Sequence, residues 1–134
     1  MDNQTTVMIA DNTEEFCASL TTALHRAGGF QVLGSANDGE QAIRMIAELK
    51  PQALIVDLML AKQDGLSVLK AVSAMDYAPM ILATSGFVTE YVASTAANLG
   101  VRYLMLKPCD IDAVVERLEE IRGSARERGN GNRR

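Results

Sequence analysis

A chain of 134 residues, 48% hydrophobic and 22% charged, has the size and balance of one folded domain and excludes a disordered polymer. Aromatics make up only 4% and Trp is absent, so the core must be built from Val, Ile, Leu, Met and Ala. The net charge of −4 is uneven: residues 123–134 carry +3 and the remainder −7, an acidic body that argues against direct nucleic-acid binding.

In chain order, short apolar runs alternate with segments of helical period. Thr6-Val7-Met8-Ile9-Ala10 reads as a buried strand ending at Asp11. Thr13 is placed to cap a helix with Phe16, Leu20, Leu24 and Ala27 on one face, and Gly28-Gly29 ends it. Phe30 to Ala36 forms a second strand, less hydrophobic and therefore expected near a sheet edge. Asn37-Asp38-Gly39 turns the chain into a helix carrying Ala42, Ile43, Ile46, Ala47 and Leu49, which Pro51 prevents from continuing. Ala53-Leu54-Ile55-Val56 is the most uniformly apolar strand, the pattern of a parallel sheet covered on both faces, and it ends at Asp57.

A loop from Leu58 to Asp64 leads into a helix with Leu66, Val68, Leu69 and Val72. Met80-Ile81-Leu82-Ala83 is a fourth strand with Thr84-Ser85-Gly86 at its end. Residues 88–99 read as a weakly amphipathic helix ended by Gly100, and Val101 to Leu106 as a fifth strand. Ile111, Val114, Val115, Leu118 and Ile121 stripe a fifth helix. The basic, Gly- and Asn-rich segment 123–134 reads as a flexible linker or tail, leaving residues 5–122 as the domain.

Five β-α units in tandem demand right-handed crossovers and a parallel sheet with helices on both faces. They fit the α/β flavodoxin-like arrangement with strand order 2-1-3-4-5, since a barrel needs eight units. Ligands of such a sheet bind beyond the carboxyl ends of its strands. The residues there are Asp11 and Asn12, Asp57, Thr84 and Ser85, and Lys107 followed by Pro108. Clustered carboxylates call for a hard cation, and Mg²⁺ is the natural candidate because it takes oxygen ligands. A hydroxyl and an ammonium beside it would complete a site for a phosphoryl group. With no His, Cys or Glu in the set, the economical nucleophile is a carboxylate.

Other residues add little chemistry. His25 is the only histidine, which removes most zinc and histidine-based catalytic schemes. Cys17 and Cys109 lack metal-ligand or redox spacing and suit a reducing cytoplasm, the expected location. No apolar run approaches the roughly 18 residues of a membrane span, and no signal-like stretch opens the chain, so no membrane association is expected.

These motifs together resemble the response-regulator receiver domain of two-component signalling, over residues 6–122. Ile9-Ala10-Asp11-Asn12 is similar to its first-strand acidic pair. Ile55-Val56-Asp57-Leu58-Met59-Leu60-Ala61-Lys62-Gln63-Asp64-Gly65 is similar to its phosphoacceptor motif, and Leu104-Met105-Leu106-Lys107-Pro108 to its Lys-Pro element. The resemblance implies that Asp57 takes a phosphoryl group from a phosphohistidine on a sensor histidine kinase or a histidine phosphotransfer protein. It implies that Asp11, Asp57 and the backbone carbonyl of Met59 hold Mg²⁺, with Asn12 beside them, and that Lys107 contacts the carboxylate and then the phosphoryl oxygens. It also implies a cis Lys107–Pro108 bond. The fourth-strand hydroxyl is Ser85, which lies 22 residues before Lys107 as in the family, or Thr84. No turnover on an external substrate is implied beyond self-phosphotransfer and slow autodephosphorylation.

Three departures stand out. Asn12 replaces an acid, so Mg²⁺ should bind more weakly with phosphorylation retained. Leu104 occupies the place of the aromatic switch residue, while Tyr103 should face the other side of the strand. Ala61 replaces a proline and should loosen the loop after Asp57. They keep open a degenerate receiver that serves as a phosphorylation-independent docking module. Val32 to Gly39, Ser85-Gly86-Phe87 and Leu99-Gly100 with Lys107 to Asp110 are similar to sporulation-type transcription factors. That implies transcriptional output through a DNA-binding effector absent from this chain, with dimerisation on phosphorylation as a hypothesis. A stand-alone single-domain regulator is the competing arrangement.

Overall fold

The computed structural model describes residues 4–60 and 64–131, with side chains described as far as residue 123. Among these residues the elements alternate strictly: β1 (Thr5–Ala10), α1 (Glu14–Ala27), β2 (Phe30–Ala36), α2 (Gly39–Leu49), β3 (Ala53–Asp57), α3 (Gly65–Ser73), β4 (Met80–Ser85), α4 (Glu90–Asn98), β5 (Val101–Leu106) and α5 (Ile111–Gly131). All strand pairs are parallel and the order is β2-β1-β3-β4-β5, as the alternating pattern predicts.

Every residue of β3 is buried, because it runs through the middle of the sheet under helices on both sides. The more polar β2 lies at an edge. Strand alternation divides the core in two. Met8, Ala10, Leu54, Val56, Ile81 and Ala83 pack with residues of α2 and α3 on one side. Val7, Ile9, Ile55 and Leu82 pack with Leu20, Leu24, Val114 and Leu118 of α1 and α5 on the other.

Three local expectations need correction. Thr13 stands at the N-cap position of α1 but makes no side-chain cap bond; its N–H instead reaches Asp11 Oδ1 at 2.8 Å. Ala27, Ala47 and Leu49, assigned to core faces by period, are exposed: Ala27 and Leu49 are the last residues of their helices and lie past the covered surface, and Ala47 falls off the buried Ala42–Ile46 stripe of α2. The third concerns α5, which does not stop at Gly123 but continues to Gly131. A helix-ending glycine adopts positive φ, and among the described residues only Gly28, Gly29 and Gly100 do so. The expected loosening at Ala61 falls outside the described residues, as do residues 132–134 of the expected tail.

Candidate functional site

Parallel register brings the chemistry-bearing residues into one row at the carboxyl ends of the strands. Ala10 pairs with Val56, so Asp11 and Asp57 follow side by side; Asp57 in turn pairs with Thr84, and Thr84 with Met105. Paired residues of parallel strands point to the same side of the sheet. Ile9, Ile55 and Leu82, two residues earlier on each strand, belong to the α1–α5 core, so the row faces that side.

Asp11 and Asp57 are only 2% and 6% exposed, which for like charges requires a compensating partner. Lys107 supplies it: its Nζ donates to Asp11 Oδ2 at 2.5 Å and to Asp57 Oδ2 at 3.2 Å. The other oxygen of each carboxylate accepts a backbone N–H two residues on, from Thr13 to Asp11 and from Met59 to Asp57, both at 2.8 Å. Phe16, read in the sequence as core only, places its ring 4.5 Å from the Lys107 ammonium and adds a cation–π contact. Burial pushes the Lys107 pKa down, but the hydrogen bond to Asp11 and the charges of Asp11 and Asp57 outweigh it, leaving a net rise. The lysine is held as a cation.

The loop carrying Asp57 is set by close packing. Leu58 N–H donates to the Thr84 carbonyl at 2.8 Å, and Gly65 N–H to the Leu58 carbonyl at 3.1 Å. A Cβ on Gly65 would lie 2.6 Å from the Asp57 carbonyl oxygen and closer still to Leu58 Cα. Only glycine permits that approach. The Asp-Gly pair was visible in the sequence; the collision that makes glycine necessary was not. Asp64 caps α3 by accepting from Ser67 N–H at 2.8 Å.

The two candidate hydroxyls divide. Ser85 Oγ donates to the Phe87 carbonyl at 2.6 Å. Thr84 Oγ1 is fully buried and finds no hydrogen-bond partner among the described residues. Leu104 packs toward the α2–α3 side, whereas Tyr103 lies on the α1–α5 side. There Tyr103 donates to Glu120 Oε2 at 2.7 Å under the Arg117 guanidinium. The Lys107–Pro108 bond is cis. Cys17 and Cys109 are free thiols whose pKa values are raised chiefly by burial, so neither is an activated nucleophile.

Among the described residues no group of three or more His, Cys, Asp or Glu could hold a metal. Two buried carboxylates remain, with the exposed Asn12 amide and the Met59 carbonyl as neutral oxygens. Such an all-oxygen set fits Mg²⁺ with several waters, at reduced charge.

Comparison with known proteins agrees with this geometry. The family model described as the response regulator receiver domain matches residues 7–119. The "Uncharacterized transcriptional regulatory protein YesN" of Bacillus subtilis is 33% identical over 93 residues, 69% of this chain and 25% of that protein. The chain thus spans about a quarter of the length of this relative. Among solved structures, the N-terminal domain of an uncharacterized Wolinella succinogenes protein is 25% identical with a TM-score of 0.81, covering 92% of this chain and 98% of that one. A CheY-like receiver domain protein from Methanospirillum hungatei reaches a TM-score of 0.82 at 16% identity, covering 92% of this chain and 98% of that one.

Proposed function

Since the chain belongs to the response-regulator receiver family of two-component signalling, we propose that Asp57 accepts a phosphoryl group from a phosphohistidine. The partner would be a sensor histidine kinase or a histidine phosphotransfer protein. The observation that carries the reading is the Asp11–Lys107–Asp57 constellation, with an ammonium bridging two buried carboxylates. An Asp57 carboxylate oxygen attacks phosphorus as the P–N bond breaks, and the bonding pair returns to the departing imidazole nitrogen. Lys107 screens the approach of one anion to another and offers N–H donors to the phosphoryl oxygens. Backbone N–H donation from Met59 holds the carboxylate in place throughout. Asp11, Asp57, the Met59 carbonyl and the Asn12 amide would hold Mg²⁺, which when bound would supply positive charge beside the carboxylates.

Receivers are signalling phosphoacceptors rather than enzymes acting on an external substrate; here only self-phosphotransfer and slow autodephosphorylation are proposed. Ser85 is the hydroxyl proposed to meet the phosphoryl group, and Leu104 fills the switch position without a ring. Output through transcription is supported by the regulatory relative, whose greater length leaves room for an effector. Residues 5–122 are proposed as the receiver and 123–134 as the connection onward. The helical course of α5 to Gly131 supports a helical rather than flexible start to that connection. No helix among the described residues is long and apolar enough to cross a membrane, and a cytoplasmic site of action is proposed.

Incubation with acetyl phosphate and Mg²⁺, followed by intact-mass measurement, tests the reading. The wild type should gain one phosphoryl group and Asp57→Asn none. No gain, or an equal gain in Asp57→Asn, would sink it.

A further inference from the structure

The Lys107 ammonium carries three N–H donors. Among the described residues it has two oxygen partners, Asp11 Oδ2 at 2.5 Å and Asp57 Oδ2 at 3.2 Å. The face of the Phe16 ring, 4.5 Å from Nζ, is its third contact. That ring is carried by a rigid element. Phe16 lies near the start of α1, on the helix face that buries Leu20 and Leu24, and packs against the α1–α5 core. Asp11 ties the ring and the ammonium to one carboxylate. Its Oδ1 accepts Thr13 N–H at 2.8 Å, and the Thr13 carbonyl accepts Cys17 N–H at 3.1 Å to open the helix. Its Oδ2 holds Lys107. The spacing of ring and ammonium is thus built into the fold.

An aromatic face attracts a cation through its quadrupole but offers no lone pair to engage an N–H. A water in the same place would accept that N–H and would have to be displaced before another acceptor reached it. An aliphatic side chain would exclude the water without attracting the charge. The Phe16 ring does both, so the ammonium stays between the carboxylates with one donor unspent. Phosphoryl transfer needs that state: a cation already in place when a second anion approaches Asp57, and a donor ready for its oxygens. We propose that Phe16 is a positioning residue for phosphoryl transfer, its ring fixing the Lys107 ammonium beside Asp57 while leaving one N–H for a phosphoryl oxygen. This inference rests on Asp57 being the phosphoacceptor.

The full chain with fluorinated phenylalanines placed at position 16 tests it, because fluorine draws charge from the ring face at nearly constant shape. Phosphorylation by acetyl phosphate with Mg²⁺, followed by intact mass, should slow in order from phenylalanine through monofluoro- to trifluorophenylalanine. Cyclohexylalanine, equally bulky but without a π face, should slow it about fivefold. Urea midpoints supply the second arm. Trifluorophenylalanine should lower the midpoint of the wild-type background more than that of Lys107→Met, where the ring faces no cation. A purely packing role would shift both midpoints alike and leave the order of rates untouched. Equal rates across the series, or equal midpoint shifts in the two backgrounds, overturn the inference while Asp57 stands. A wild type that gains no phosphoryl group overturns the phosphoacceptor reading, and this inference with it.

Discussion

The two ends of the sheet are built on opposite terms. At the amino end, polar groups are matched with one another and carry little charge. Thr6 N–H donates to Gln52 Oε1, and Gln52 N–H returns a bond to Thr6 Oγ1, both at 2.9 Å. Thr5 N–H and Arg122 Nη1 both donate to the Gly29 carbonyl, at 2.8 Å and 3.0 Å. At the carboxyl end, two buried carboxylates share one lysine, a buried hydroxyl has no described partner, and a glycine is pressed onto the loop of Asp57. The amino end closes the fold; the carboxyl end keeps unspent interactions for a ligand. Mutations at the first should therefore change stability alone, and mutations at the second both stability and phosphorylation.

Gly65→Ala should have the largest effect. The new Cβ meets backbone, not a flexible side chain, so the Asp57–Leu58 peptide or the start of α3 must move. Overpacking against backbone should cost about 3–4 kcal/mol, at or above the upper end for added methyl groups. Urea unfolding measures the loss, and the acetyl phosphate reaction should slow as well because Asp57 moves. Full retention of both would show that the loop is more compliant than its packing indicates.

Lys107→Met comes next. It leaves two nearly buried carboxylates facing each other without their shared cation. Removing one partner of a buried pair typically costs 3–5 kcal/mol; the partial exposure of this lysine brings the expectation to about 2–3 kcal/mol. The pH dependence has a definite sign. The folded-state pKa of Lys107 is raised above its ordinary 10.5, so its stabilisation is complete below 10.5 and fades as pH rises through the folded value. Urea midpoints of wild type should thus fall toward those of Lys107→Met above pH 10.5. A gap that stays constant across that range would contradict the assignment of Lys107 as the stabilising cation.

Much of this contrast was legible in the sequence, but unequally. The strands and their order followed from five apolar runs separated by helical periods, and the polar β2 was rightly expected at an edge. Asp11, Asp57 and Lys107 stood out because charged residues directly followed apolar strands, and the structure joins them through two hydrogen bonds. Phe16 was seen only as a helix-face residue, since nothing in a helical period reveals that a lysine 91 positions later will lie over its ring. The orphan state of Thr84 was equally hidden: satisfaction of a hydroxyl depends on what three neighbouring strands place around it. At the amino end the roles of Gln52 and Arg122 were hidden, because their contacts with Thr6, Gly29 and Phe30 are long-range and leave no local spacing signature.

Arg122→Ala gives the smallest expected effect and the cleanest test of the amino end. Arg122 joins α5 to the turn before β2 by two contacts, its bond to the Gly29 carbonyl and its guanidinium 4.2 Å over the Phe30 ring. One partly exposed hydrogen bond and one cation–π contact together predict a loss of about 1–1.5 kcal/mol. Arg122→Lys should recover only part of it, because an ammonium cannot both stack flat on Phe30 and reach the carbonyl with a rigid fork. Phosphorylation of Asp57 by acetyl phosphate should proceed at the wild-type rate in both variants. Arg122 lies at the opposite end of the strands, so its loss leaves Lys107, Asp11 and Asp57 with the same partners. A slowed reaction in Arg122→Ala, under conditions where the protein remains folded, would show instead that α5 couples the two ends of the sheet.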